Sequence, residues 1–139
     1  MAARSMKIRS LKVFALALGL AMAPIAHPAP PPVVQQEISH LIQFLGVSGC
    51  EFKRNGAWNN AKAAEDHVRG KYNWLEKMGM VDTTNDFIVK AATQSYFSGE
   101  PYEIKCGGNL PVSSSLWLNT ELARYRVSQA EPPDKAGTR

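Results

Sequence analysis

From Val34 onward the apolar positions recur at helical spacing. Val34, Ile38, Leu41, Ile42 and Leu45 form one stripe with Gln36, Ser39 and Gln43 on the other side, which predicts an amphipathic helix stopped by Gly46 and Ser48-Gly49. The period then changes to two. Cys50-Glu51-Phe52-Lys53-Arg54 alternates apolar and charged residues as a half-buried strand does, and Asn55-Gly56 supplies a tight turn. Asn59 or Asn60 suits the N-cap of a second helix, Ala61 to about Met78, with Ala64, Val68, Tyr72 (or the stem of Lys71), Leu75 and Met78 inward. Thr83 and Asp86 have the spacing of a capping box, and the helix they open carries Phe87, Ile88, Ala91, Ala92 and Ser95 inward until Ser98-Gly99 breaks it. Pro101 to Cys106 sets Tyr102, Ile104 and Cys106 against Glu103 and Lys105, a second strand that Gly107-Gly108 turns. Pro111 and Ser113 to Ser115 then lead into a last helix with Trp117, Leu118, Leu122 and Tyr125 apolar.

The expected order is α-β-α-α-β-α: a helix-rich α+β fold of about four helices with a small two-stranded sheet. Two isolated strands are marginal in water, so this sheet must pack on the helices. In each strand the cysteine belongs to the set that can face inward. If the strands pair, Cys50 and Cys106 come within bridging distance, and closing a loop of this length contributes up to about 4 kcal/mol by chain entropy.

Length allows one domain, since 139 residues are too few for two independent cores. The first 29 residues read as a targeting segment: Arg4, Lys7, Arg9 and Lys12, then the uncharged apolar run Val13 to Ala23, then small residues and prolines from Pro24 to Pro32. Met6 is an alternative start, and Ala23, Ala26 and Ala29 are alternative cleavage points. The run is shorter than the roughly 20 residues of a membrane span, and Cys50 lies too far away for a lipoprotein. The expected layout is a signal peptide over 1–29, a disordered Pro-rich leader over 30–33, one compact domain over 34–127 and a disordered tail over 128–139.

Removing the signal changes the charge. The chain has 16 basic and 12 acidic residues, net +4. Four of the basic ones lie before the apolar run, so the remainder balances at 12 against 12. The basic pI therefore belongs to the signal and gives no argument for nucleic-acid binding.

Most catalytic templates fail for want of residues. Past the signal there are only His40 and His67, with no HExxH, CxxC, phosphate-binding glycine loop or GxSxG, and two cysteines so far apart make a staple rather than a zinc or dithiol site. No cofactor and no metal is expected. What remains is a polar cluster. Its candidate ligand residues are Arg54, Asn55, His67, Lys71, Ser95 and Ser98, with Glu65 and Thr93 nearby; His67 and Lys71, four apart, share a helix face. The residues allow a turn-stabilising role, an anion- or peptide-binding pocket of Arg54, His67 and Lys71, or a hydrolase pairing His67 with Ser95 or Ser98. Trp58, Trp74 and Trp117 read as core, Trp58 with the option of exposure.

Several stretches together resemble the YfeK-like family of small exported bacterial proteins of unknown function. They are Cys50 to Gly56, Ala63-Ala64 with His67 and Lys71, Asp86-Phe87-Ile88, Ala91 to Ser95, Ser98 to Ile104, and Trp117-Leu118, in order over about Glu37 to Leu122. Tyr96-Phe97 and Cys106-Gly107-Gly108 depart from its pattern, which puts the staple in a subset of members. The resemblance implies export and a compact helix-rich domain, and supplies no catalytic residue, cofactor or substrate. The expected function is that of a periplasmic or secreted non-enzymatic binding or accessory module, its partner an envelope protein or small ligand, with no stable membrane insertion once the signal is removed. A small envelope hydrolase and a secreted enzyme inhibitor are the alternatives; a rigid exposed loop over Asn55 to Asn60 would favour the inhibitor.

Overall fold

The computed structural model describes residues 27–130. The proposed signal segment through residue 26 and the tail from residue 131 lie outside the described residues. The elements are α1 (Pro32–Val47), β1 (Glu51–Arg54), β2 (Ala57–Asn60), α2 (Ala61–Lys77), α3 (Thr84–Ala92), β3 (Glu103–Lys105), β4 (Val112–Ser113) and α4 (Ser114–Ala130).

The four expected helices are present, with the expected faces. In α1, Ile38, Leu41, Ile42 and Leu45 are buried, and the helix packs on α2, α3 and α4. Gly46 lies within α1 rather than ending it: a Cβ there would collide with the Glu65 carboxylate of α2, so the glycine leaves room for that side chain, which pairs with Arg69. Asn60 caps α2, its side chain accepting from the Ala63 amide at 2.8 Å, while Asn59 donates to the carbonyl of Ala57 at 3.0 Å within the hairpin. Met78, expected inward, is exposed because α2 ends at Lys77 and the chain turns away through Gly79 at φ 64°. Thr83 and Asp86 form a reciprocal capping box at the start of α3. Losing an N-cap side chain typically costs about 1 kcal/mol, so Thr83→Ala is expected to lower stability by about that amount in urea unfolding. An unchanged midpoint would contradict this assignment.

The sheet differs from expectation. It has four antiparallel strands in the order β2-β1-β3-β4, not two, and the chain runs α-β-β-α-α-β-β-α. Asn55 and Gly56 both take positive φ, 49° and 77°, which matches a hairpin turn whose twist sends the chain straight back beside β1. Ala57 to Asn60 becomes a strand for that reason, although only Trp58 among its residues favours strands. The stretch that would have been an exposed loop is thus one arm of a hairpin. Strand β4, two residues long, joins the far edge by pairing Ile104 with Val112 and Glu103 with Ser113.

Strands β1 and β3 pair in the register Glu51 with Lys105, Phe52 with Ile104 and Lys53 with Glu103. Phe52 and Ile104 face the core, and one step beyond the ladder Cys50 meets Cys106 with Cα atoms 4.4 Å apart, joined as a disulfide. The spacing is that of a non-hydrogen-bonded antiparallel pair, about 4.5 Å.

The proposed leader is ordered where it meets the fold. Pro30 is buried and accepts from the Gln35 side chain at 2.6 Å, and α1 begins at Pro32, where a missing N–H costs the helix nothing. At the other end α4 continues through Ala130, past the boundary expected at residue 127. Among the described residues no helix is long and apolar enough to cross a membrane.

Two glutamates are buried in the seam between the first and last helices. Glu37, 6% exposed, accepts both hydrogen bonds of the Arg126 fork at 2.6 and 2.8 Å and one from the Thr84 hydroxyl. Glu121, 4% exposed, accepts from Arg124 at 2.7 and 2.6 Å and pairs with His40 at 2.5 Å, whose ring stacks on Tyr125. Both carboxyls are held below their ordinary pKa, first by the arginine hydrogen bonds and against the opposing effect of burial.

Candidate functional site

Three of the residues singled out from sequence converge. Arg54 ends β1, and His67 and Lys71 lie one turn apart on α2, where they meet Tyr102 on the segment entering β3. Arg54 Nη1 lies 2.9 Å from His67 Nδ1, and His67 Nε2 lies 3.1 Å from the Tyr102 hydroxyl. Lys71 Nζ donates to the Gln94 carbonyl at 3.0 Å and to the Tyr102 oxygen at 3.4 Å, and sits 4.2 Å from the centre of the Tyr96 ring.

The donors fix the protonation pattern. A guanidinium can only donate, so His67 Nδ1 accepts and Nε2 carries the proton toward Tyr102. Burial first, and then the charges of Arg54 and Lys71, lower the His67 pKa, which favours the same neutral ring. The Tyr102 oxygen accepts from both His67 and Lys71, so its own proton points away from them. Burial raises the Tyr102 pKa and keeps the phenol protonated, outweighing Arg54, which acts the other way. Lys71 is pulled down to about 8, chiefly by burial and then by Arg54. Among the described residues no carboxylate lies within ion-pair distance of Arg54 or Lys71. Two cations and a phenol thus converge with no ion-pair partner among the described residues, the nearby Asp66 carboxylate pairing with Lys62 instead.

The other expected residues go elsewhere. The Ser98 hydroxyl donates to the Asn55 side chain at 2.9 Å, tying the 95–99 turn to the β1–β2 turn. Ser95 is buried, and its hydroxyl accepts from the amides of Phe97 and Ser98 at 3.3 and 3.4 Å, closing its own turn. Neither serine bonds to His67, whose two nitrogens face Arg54 and Tyr102. Glu65 pairs with Arg69 at 2.7 Å, and the Thr93 hydroxyl donates to the Ile88 carbonyl at 2.8 Å. Tyr102 was missed as a site residue because its alternation marks it simply as an inward strand position; a phenol there, unlike a phenylalanine, must bring its hydroxyl to a polar partner.

Two hollows flank the cluster. One is a narrow cleft of about 70 Å³ between β1 and α2, lined by Phe52, Arg54, Asn59, Ala64, His67 and Tyr102. The other is an open groove of about 600 Å³ on the far side of His67 and Lys71. Of the tryptophans expected in the core, Trp117 stacks on Phe44, Trp58 lies beneath Lys105 on the sheet's outer face, and Trp74 stands half exposed in the groove. Among the described residues no group of three His, Cys, Asp or Glu side chains is placed to hold a metal ion.

A comparison with curated proteins and with solved structures finds no significant match to this chain. A family model described as a family of unknown function, DUF5329, matches residues 32–126, from the start of α1 to the arginine that clamps Glu37. The match covers the whole of the cluster and both cysteines, and the chain belongs to the DUF5329 family.

Proposed function

We propose that this protein is an exported, non-enzymatic binding module of the cell envelope, in keeping with the YfeK-like resemblance, and that Arg54, Lys71 and Tyr102, organised around His67, take a small anionic group. The observation that carries the reading is the pair of cations converging without a carboxylate partner among the described residues. Lys71 is half-buried beside the exposed Arg54, and half-buried positive charge is unfavourable unless something neutralises it; a ligand carboxylate or phosphate would supply the missing charge while accepting a hydrogen bond from the phenol. The disulfide suits an oxidising compartment. No comparable observation favours a hydrolase, since no serine reaches His67.

Titration with inorganic phosphate or acetate is expected to shift the amide resonances of His67, Lys71 and Tyr102, and Lys71→Met to weaken that binding about tenfold or more. The groups facing Lys71 are Arg54 from β1, His67 from its own helix and Tyr96 and Tyr102 from the following loops. Anion affinity should fall as pH rises through about 8, where Lys71 loses its proton. Stability of the free protein should move the opposite way. Because the folded pKa lies below the unfolded one, the unfolded chain binds more protons between about 8 and the ordinary lysine value, and stability rises with pH there. Absence of any response to millimolar anions would overturn the proposal.

A further inference from the structure

The open groove is made of parts that the fold itself does not explain. Gly70 sits in the interior of α2, exposed, and a Cβ placed on it would meet nothing within 4 Å. An interior helix glycine is less favourable than alanine by about 1 kcal/mol, and no packing contact offsets that here. One turn further on, Trp74 is 52% exposed, and across the groove Tyr96 and Phe97 are 56% and 102% exposed. The turn bearing them is pinned by the Ser95 hydroxyl, by the Ser98–Asn55 bond and by Gly99 at φ 70°. A fixed turn therefore presents a wholly solvated Phe97 opposite a tryptophan, over a stretch of bare helix.

The polar groups narrow the choice of occupant. Lys71 and His67 form the wall shared with the anion cluster, and Asp66 stands on the rim as an acceptor. Lys71 and Asp66 keep hydrogen-bonding capacity beyond their bonds to Gln94, Tyr102 and Lys62, and an aliphatic side chain would leave it unused. A pyranose ring has a C–H face that stacks on aromatic rings and an equatorial edge of hydroxyls that both donate and accept. Lys71, the groove's cation, has no carboxylate within ion-pair distance among the described residues and calls for a negative substituent on the ring. Sites for small molecules are commonly built this way, with apolar walls and a few placed polar groups.

We propose that the groove binds an acidic saccharide, its ring lying over Gly70 between Trp74 and the Tyr96–Phe97 turn and its carboxylate directed to Lys71 on the wall shared with the anion cluster. This rests on the anion-binding reading above and goes further by naming the ligand class. The test is a titration of the protein with glucuronic acid, glucose and acetate, followed by amide resonances. Glucuronic acid is expected to perturb Gly70 and the 95–99 turn and to bind about tenfold tighter than acetate or glucose.

The variant Gly70→Leu suits the helix, its Cβ meets no neighbour and the rest of its side chain enters the groove, so it should raise thermal stability while reducing glucuronic acid affinity about tenfold and leaving acetate binding unchanged. Glucuronic acid binding no more tightly than acetate, or equally well to Gly70→Leu, would overturn the saccharide proposal and leave the anion cluster standing. Binding to phosphatidylglycerol vesicles in place of the sugar would overturn it in favour of a lipid surface. Silence toward all three small molecules would overturn both readings.

Discussion

Cys50→Ala with Cys106→Ala is expected to destabilise the protein by up to about 4 kcal/mol, measured by urea unfolding against the oxidised parent. The cysteines are 56 residues apart in sequence, and the segment between them contains two strands of the hairpin, α2, α3 and β3. In the unfolded chain the link removes the conformations in which this long segment opens. In the folded chain it adds one rung to a β1–β3 ladder of only three residue pairs. So short a pairing is marginal alone, and the rung is on the inner face beside Phe52 and Ile104, where slippage would expose the core. The figure is an upper bound, because residual structure in the reduced unfolded chain lessens the entropy gained. A loss below about 1 kcal/mol would mean that the helices alone hold the strands in register.

The second large effect is expected at the seam between α1 and α4. Arg126→Ala removes the fork from Glu37 and leaves a buried carboxylate with only the Thr84 hydroxyl. Stripping one partner from a fully buried pair costs 3–5 kcal/mol, and because the Arg126 side chain is 57% exposed a smaller loss, about 2–3 kcal/mol, is expected. Glu37→Gln should cost less, about 1 kcal/mol, since glutamine still accepts from Thr84 and Arg126 can turn to water. The pH dependence separates the two further. In the parent the Glu37 pKa is depressed, so its contribution is present above the unfolded carboxylate value and is lost as pH falls through the folded one. In Arg126→Ala burial is left to dominate and raises that pKa, so the deficit at neutral pH should shrink on acidification. Equal losses for Arg126→Ala and Glu37→Gln, or a pH-independent deficit, would refute the assignment.

The helices and the staple could be read from the residues because their signals are local. The α1 stripe, the Thr83–Asp86 box and the inward parity of both cysteines each lie within a few positions, and each has the role expected. Strand β2 was not legible, since Ala57-Trp58-Asn59-Asn60 has no alternating pattern; it exists because the Asn55-Gly56 turn dictates where the chain goes next. Strand β4 is too short to leave a pattern. In the site, the spacing of His67 and Lys71 correctly placed them on one face, and Arg54 joins them through tertiary pairing. Ser95 looked available as a nucleophile because sequence does not reveal that a hydroxyl is already closing a turn. The buried Glu37 and Glu121 were missed for a related reason: their arginine partners are 89 positions away for Glu37 and three for Glu121, and in both cases the burial comes from helix packing that no local period encodes.

The same seam sets the order in which the domain can be completed. Glu37 stands near the start of the fold and Arg126 near its end, and Val33 and Ala130 border one shared hollow. A chain that emerges N-terminus first therefore displays α1 with an acidic group on its core-facing side and no arginine counterpart until α4 has appeared. Partial chains lacking α4 can pack α1 on α2 and α3 but leave the Glu37 carboxylate without the Arg126 fork. The domain is finished by its last helix, as a latch closes a box, and any truncation that stops short of Arg126 should behave as an unfinished chain rather than as a smaller version of the protein.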